Sequence, residues 1–174
     1  EDVTNKGPFD YWPTGHGFEY FYGFLAGEAS QYEPQMVRNT TLVTEEHKPG
    51  YHLSEDIASD AIKWLREQRA YAPDKPFFMY WAPGASHGPH HVMKEWADKY
   101  KGKFDDGWDK YRERVFANAK AKGWIPASAQ LTPRPASMAS WDSIPEAEKP
   151  FQRRLMEVFA GFTEHADVNA GKVI

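Results

Sequence analysis

Three histidines, His87, His90 and His91, lie within five residues of one another in a stretch rich in small residues and proline. A neutral imidazole accepts a proton or binds a metal, and an imidazolium donates hydrogen bonds to an anion. Because successive side chains of an extended chain point to opposite sides, at most one of His90 and His91 should point with His87. The cluster therefore predicts a site that presents imidazole to a ligand. The alternative is that some of these histidines cap the following helix or lie at the surface.

A metal site built from this cluster alone is the weaker interpretation. Zinc sites use three or four ligands, usually with helical spacing or a distant carboxylate, and neither accompanies His87. Asp105 and Asp106 are not followed by the spaced acidic loop of a calcium site. His165 stands among acidic residues, but helical spacing places His165 and Asp167 on different faces, which favours a structural role. We therefore assign no metal ligand within this chain.

The element that should position the histidines is the segment Phe77–Ala82. This continuous apolar run is bounded by proline on both sides and follows a predicted helix, which is typical of a buried strand in an α/β sheet. Ligands of open α/β sheets bind beyond the carboxyl ends of strands, and His87 follows this one by a few residues. The predicted fold class is therefore α/β, with sheet strands flanked by helices.

Hydrophobic periodicity, together with capping and turn residues, predicts the other helices and strands. The first helix should cover 54–70, with Ser54 as its N-cap and apolar residues recurring along one face. Short strands are predicted in 20–25 and around 36–43. Further helices are predicted at 94–100, at 108–122 and from Pro150 onwards. The last helix should bury an apolar stripe made of Phe151, Leu155, Val158, Phe159, Phe162, Ala166, Ala170 and Val173.

Composition excludes several classes of protein. The 174 residues are 41% hydrophobic and carry a formal net charge of -4 with interleaved signs, which argues against disorder and against a nucleic-acid partner. The absence of cysteine excludes disulfides, thiolate metal sites and cysteine nucleophiles within the chain. No apolar run reaches the roughly 18 residues of a membrane span, so we expect no membrane partner. Both ends look truncated, which predicts that the chain is a piece of a longer protein. Its cellular localisation is left open.

A resemblance to a known family adds to these inferences. The segments 12–24 and 31–34, the predicted helix at 54–70, and the segments 74–78 and 87–92 follow one another as in bacterial arylsulfatases of the formylglycine-dependent class. The resemblance implies part of an alkaline-phosphatase-like sandwich and hydrolysis of sulfate esters. It makes residues 1–174 the central segment of a single catalytic domain truncated at both ends, with 92–143 as a helical and loop insertion.

The resemblance also implies cofactors and roles. In that family a Cys or Ser in a C/S-x-P-x-R motif becomes the formylglycine nucleophile, and a calcium ion offsets negative charge. Both the nucleophile and the calcium ligands are expected outside this chain, in the remainder of the sulfatase domain. His87 matches the family histidine that hydrogen-bonds the bound sulfate or protonates the leaving oxygen, and His90 and His91 are expected to line the substrate pocket.

Two alternatives remain open from the sequence. The first is a phosphonate or phosphate ester hydrolase of the same superfamily, and the second is a non-catalytic binding remnant. For the leading interpretation the partner is a small-molecule sulfate ester, and the isolated chain should be inactive.

Overall fold

The computed structural model describes residues 4–44 and 47–174. The chain forms two compact units. The first unit combines Glu1–Met93 with Phe162–Ile174, and the second unit is Lys94–Gly161. No helix in the described part of the chain is both long and apolar enough to span a bilayer.

A small antiparallel sheet lies in the first unit, where the sequence predicts short strands. Its strands are β1 (Tyr22–Gly23), β2 (Val37–Arg38) and β3 (Thr41–Leu42), in the order β1-β2-β3. The turn between β2 and β3 contains Asn39 in the left-handed region, at φ 54°, which asparagine tolerates better than most residues. The Asn39 side chain accepts a hydrogen bond from the Phe21 amide at 3.0 Å, so the turn is tied to the entrance of β1.

The first helix, α1 (Leu53–Tyr71), packs beside β1 and supplies the core of the first unit. Leu53 and Ile57 of α1 are buried against Met36, and Trp81 packs on the same cluster. The helix ends before Pro73, as expected, because the residue preceding a proline avoids helical geometry. Its N-cap is His52 and not the predicted Ser54: the His52 side chain accepts a hydrogen bond from the Ser54 backbone N–H.

The segment Phe77–Ala82 differs from its prediction. It is extended but pairs with no strand of the described residues, and three of its four aromatic side chains are exposed: Phe77, Phe78 (76%) and Tyr80 (73%). The fourth, Trp81, is partly buried against the core cluster. A strand requires a neighbouring strand to accept its ladder of hydrogen bonds, and the only described sheet is formed by β1, β2 and β3. The prediction of a buried sheet strand at 77–82 is therefore wrong for this chain, while the mixed helix-and-sheet class is confirmed.

The second unit is helical, as the periodicity predicts. It contains α2 (Lys94–Asp98), α3 (Gly107–Ala121) and the first part of α4 (Lys149–Val173). The remainder of α4 belongs to the first unit. Most of the predicted insertion at 92–143 falls in the second unit, and its status as an insertion stays a prediction.

The predicted apolar stripe of α4 is only partly buried. Phe162 is fully buried in the first unit, whereas Phe151 is 63% exposed and Leu155 and Phe159 are also exposed. Periodicity identifies the apolar face of a helix, but it does not say whether an element covers that face.

Candidate functional site

The three histidines lie on an irregular loop, here called the histidine loop (residues 84–91), which follows the exposed run. The His87 ring is mostly exposed, and its Nδ1 lies 2.8 Å from the Gly88 carbonyl oxygen. Because a carbonyl only accepts, this contact places a proton on Nδ1. A neutral His87 then offers Nε2 as a proton acceptor, and a protonated His87 offers Nε2–H as a donor to an anion.

A carboxylate stands beside the same ring. Glu28 Oε2 lies 3.6 Å from His87 Nδ1, and both side chains are about two-thirds exposed. A carboxylate at this distance can pair with an imidazolium, and solvent screens the attraction at this exposure. Glu28 is separated from His87 by 59 positions in the sequence, so no local pattern could have revealed the pair.

The rings of His90 and His91 have different neighbours. The His91 ring stacks on Tyr32, with centroids 5.1 Å apart, and its Nδ1 accepts a hydrogen bond from the Gln31 N–H at 3.4 Å. The His90 ring is exposed and lies 6.5 Å from the ring of Phe162. The structure therefore uses His91 to hold its own loop. The pocket roles of His90 and His91 stay predictions.

Side chains from other parts of the first unit hold the histidine loop. Gln31 is buried beneath Gly84, where an added Cβ would lie 2.6 Å from the Gln31 amide nitrogen, so only glycine fits without displacing that side chain. The Ser86 and Thr163 hydroxyls form a hydrogen bond of 2.7 Å. The loop is thus tethered at the residue next to His87 and at its amino end.

His52 is a buried residue of this site that the sequence analysis leaves without a role. Its ring is 1% exposed and bridges two elements: Nδ1 accepts from the Ser54 N–H at 3.2 Å, and Nε2 donates to the His91 carbonyl at 3.1 Å. Burial lowers the pKa of His52 to about 4, and the nearby His165 acts in the same direction. The ring is therefore neutral near pH 7, with its proton on Nε2.

The neighbours of His52 form a polar cluster. The buried His165 ring lies 4.3 Å from the His52 ring, and its Nε2 lies 2.9 Å from Glu55 Oε1 at the start of α1. The Asn169 amide donates to the His165 carbonyl at 2.9 Å. These buried contacts fit the structural role predicted for His165.

The buried neutral His52 predicts a loss of stability in mild acid. An unfolded histidine binds its proton near pH 6.5, so between about pH 4 and pH 6.5 the unfolded chain binds more protons than the folded chain. The free energy of unfolding should therefore fall as the pH drops below about 6.5, by up to about 1.4 kcal/mol per pH unit from this one group, and His52 should contribute no slope above about pH 7. Urea unfolding of the chain at several pH values measures this pH dependence of the free energy of unfolding.

The matched control for this slope is His52→Asn, which keeps a side-chain acceptor at the helix cap but cannot titrate. Its free energy of unfolding should depend less on pH between 4.5 and 6.5 than that of the unaltered chain. Equal slopes in the two proteins would assign the acid sensitivity to other groups, of which Glu55, His165 and His91 are the nearest.

A second polar network joins the sheet to α1. Asp56 accepts hydrogen bonds from Tyr22 at 2.6 Å and from Tyr51 at 2.8 Å. Asp60 accepts from Tyr20 at 2.7 Å and from Arg38 at 2.9 Å. Burial, followed by the hydrogen bonds to the carboxylates, raises the pKa of each of these tyrosines.

The tyrosines of this network therefore remain protonated hydrogen-bond donors near pH 7. One signal could have identified the network. Asp56 and Asp60 are four residues apart and so share a face of α1.

The residues present do not fit the cofactors that the resemblance implies. The described residues contain no group of three or more histidine or acidic side chains placed to hold a metal ion. The sequence contains no cysteine and no C/S-x-P-x-R motif from which formylglycine could form. We therefore derive no chemical step through calcium or formylglycine from this chain.

Comparison with known proteins gives a consistent family assignment. A sequence model of the family described as Sulfatase matches residues 3–174. An uncharacterized sulfatase of Schizosaccharomyces pombe (strain 972) is 31% identical over 180 residues, which cover 95% of this chain and 32% of the relative. An arylsulfatase of Klebsiella aerogenes is 24% identical over 173 residues, which cover 93% of this chain and 36% of the relative. The chain thus spans about a third of the length of these relatives.

Proposed function

Because the chain belongs to the sulfatase family, we propose that it forms part of the active site of a hydrolase that cleaves sulfate esters, with aryl sulfates as the substrate class. The observation that carries the proposal is the placement of His87. Its ring is exposed on a tethered loop, and Nδ1 is engaged by the Gly88 carbonyl, which leaves Nε2 available to a ligand. A sulfate ester presents anionic oxygens and a leaving oxygen, both of which an imidazolium N–H can approach.

In this function His87 donates Nε2–H to an oxygen on which negative charge develops as the sulfur–oxygen bond breaks. A donor aimed at such an oxygen stabilises the transition state more than the ground state, which is the condition for raising kcat. Transfer of that proton to the departing oxygen would make His87 a general acid, with the Glu28 carboxylate 3.6 Å from Nδ1 on the other side of the ring.

The remainder of a sulfatase domain is the partner we propose for the exposed run 77–82. Phe77, Phe78 and Tyr80 are exposed, and the backbone groups of the run have no strand partner among the described residues. An extended segment with these properties is a ready template for pairing with another strand. Pairing of this kind would bury Phe78 and Tyr80 and would place the histidine loop beyond a sheet edge.

The chain by itself should not turn over sulfate esters. No formylglycine precursor lies in it, and no metal-binding group lies in its described residues. The measurement is release of the phenol from an aryl sulfate by the purified chain with added calcium, beside a His87→Ala chain as the background control. Turnover above that background would contradict the proposal that the nucleophile lies elsewhere.

The ester class is tested in the whole enzyme that contains this chain. We expect hydrolysis of an aryl sulfate to exceed that of the matching aryl phosphate and aryl phosphonate in kcat/KM. A preference for either phosphorus ester would support the alternative hydrolase of the same superfamily, and no hydrolysis of any of the three would favour a non-catalytic binding role.

A further inference from the structure

We propose that His52 is a positioning residue that holds the histidine loop, and therefore His87, through the backbone carbonyl of His91. The part of this proposal that concerns turnover rests on the sulfate ester hydrolysis proposed above. The part that concerns the loop rests on contacts within the first unit alone.

His52 forms hydrogen bonds through both ring nitrogens, to two different elements. Nδ1 accepts from the Ser54 N–H at the start of α1, and Nε2 donates to the His91 carbonyl at the end of the histidine loop. A backbone N–H can only donate and a carbonyl can only accept, so the two contacts together select one tautomer of the ring. The His52 ring therefore links α1 to the histidine loop in a fixed geometry.

The His52 ring has no room to move. It is 1% exposed, and three rings surround it: Tyr32 edge-on at 5.7 Å, Phe162 at 6.1 Å and His165 at 4.3 Å between centroids. A side chain locked by packing transmits its position to the groups that it bonds. The polar groups nearest to it are Glu55, His165 and His91.

The histidine loop depends on hydrogen bonds from residues outside the loop. Within the loop, two backbone hydrogen bonds occur, from the His87 N–H to the Gly84 carbonyl at 2.9 Å and from the His91 N–H to the Pro89 carbonyl at 2.8 Å. The hydrogen bond between Ser86 and Thr163 secures the side of the loop before His87, where Gln31 also packs beneath Gly84. On the far side, the carbonyl of His91 is held by His52. The His91 ring is also held, by the Gln31 N–H and by stacking on Tyr32, so loss of the His52 bond releases the backbone of the segment after His87 while the His91 side chain stays in place.

A pair of substitutions separates the two bonds of His52. His52→Asn keeps an acceptor near the position of Nδ1, and asparagine is a favoured N-cap, but its side chain is too short to reach the His91 carbonyl. His52→Gln can place an amide N–H near the position of Nε2 and gives up the favoured cap. The first variant therefore removes the loop bond, and the second variant removes the helix bond.

In the whole enzyme, we expect His52→Asn to lower kcat by about 10- to 100-fold at a nearly unchanged unfolding temperature, because small displacements of a reacting group are costly. We expect His52→Gln to lower the unfolding temperature and to keep most of kcat. Parallel losses of kcat and stability in both variants would mean that His52 is merely structural, and wild-type kcat in His52→Asn would equally overturn the proposal.

A readout independent of activity uses the 174-residue chain labelled with ¹⁵N-glycine. The amide signals of Gly84 and Gly88 should shift or broaden in His52→Asn and stay near their wild-type positions in His52→Gln, with Gly123 as an unaffected reference. Unchanged loop signals in His52→Asn would overturn the proposal. If the whole enzyme cleaves no sulfate ester while the loop signals respond as expected, the proposed function fails and the positioning role stands.

Discussion

Replacement of His87 by alanine should lower kcat/KM for an aryl sulfate by about two to three orders of magnitude in the whole enzyme, the usual cost of losing one donor aimed at developing charge. The exposed ring, with Nδ1 bonded to the Gly88 carbonyl, motivates the expectation. If His87 protonates the leaving oxygen, the loss should be largest for esters of weakly acidic phenols, whose departing oxygens most need a proton. Measuring kcat/KM over a series of leaving groups gives this dependence directly.

The matched control is His90→Ala, because His90 is also exposed and lies on the same loop. It should cost less than His87→Ala across the whole series, as should His91→Ala. His91 is the poorer control, because its ring stacks on Tyr32 and its loss would disturb the loop. Wild-type kcat/KM throughout the series, in a His87→Ala enzyme shown to be folded, would remove His87 from the mechanism.

Gly107→Ala should destabilise the second unit by about 2–4 kcal/mol, through two effects that add at one site. Gly107 begins α3 with φ at +74°, a conformation that L-residues adopt only at a cost. A Cβ at this position would also overlap the ring of Trp141. That ring cannot easily withdraw, because Trp141 is buried, its backbone N–H donates to Asp109 at 2.8 Å and its ring meets Trp108 at 4.9 Å.

The control for this prediction is Gly123→Ala. Gly123 follows α3 with φ at +70°, and a Cβ there would have no neighbour within 4 Å. It should therefore cost only the backbone strain, about 1 kcal/mol. Urea unfolding of each variant, monitored by tryptophan fluorescence, measures the loss of stability in both variants. Equal costs would show that Trp141 yields and that packing at Gly107 contributes nothing.

The helices could be predicted from the sequence because their signals are local. Apolar residues recur at helical spacing through 54–70 and 108–122, and α1 and α3 occupy those ranges within a few residues. The sequence places the cap of α1 two residues too late, at Ser54 instead of His52, since serine is a common N-cap and histidine is not. The choice between Ser54 and His52 depends on the His91 carbonyl, which is 39 residues away in the sequence.

The candidate site was only partly predictable for the same reason. His87 stands out by its neighbours in the sequence, but Glu28, Gln31 and His52 reach the histidine loop through the fold. The apolar run 77–82 shows the opposite failure. Its composition is typical of a buried strand, but whether it pairs depends on another strand, and composition says nothing about where that strand comes from.

The exposed run 77–82 also bears on how the chain behaves at high concentration. An aromatic, extended segment without a strand partner can pair with the same segment of a second molecule. Lys75 precedes the run, while 77–82 itself carries no charge to oppose such pairing. Reversible self-association through this edge would then compete with the strand pairing proposed above, and a higher concentration of the chain would favour self-association.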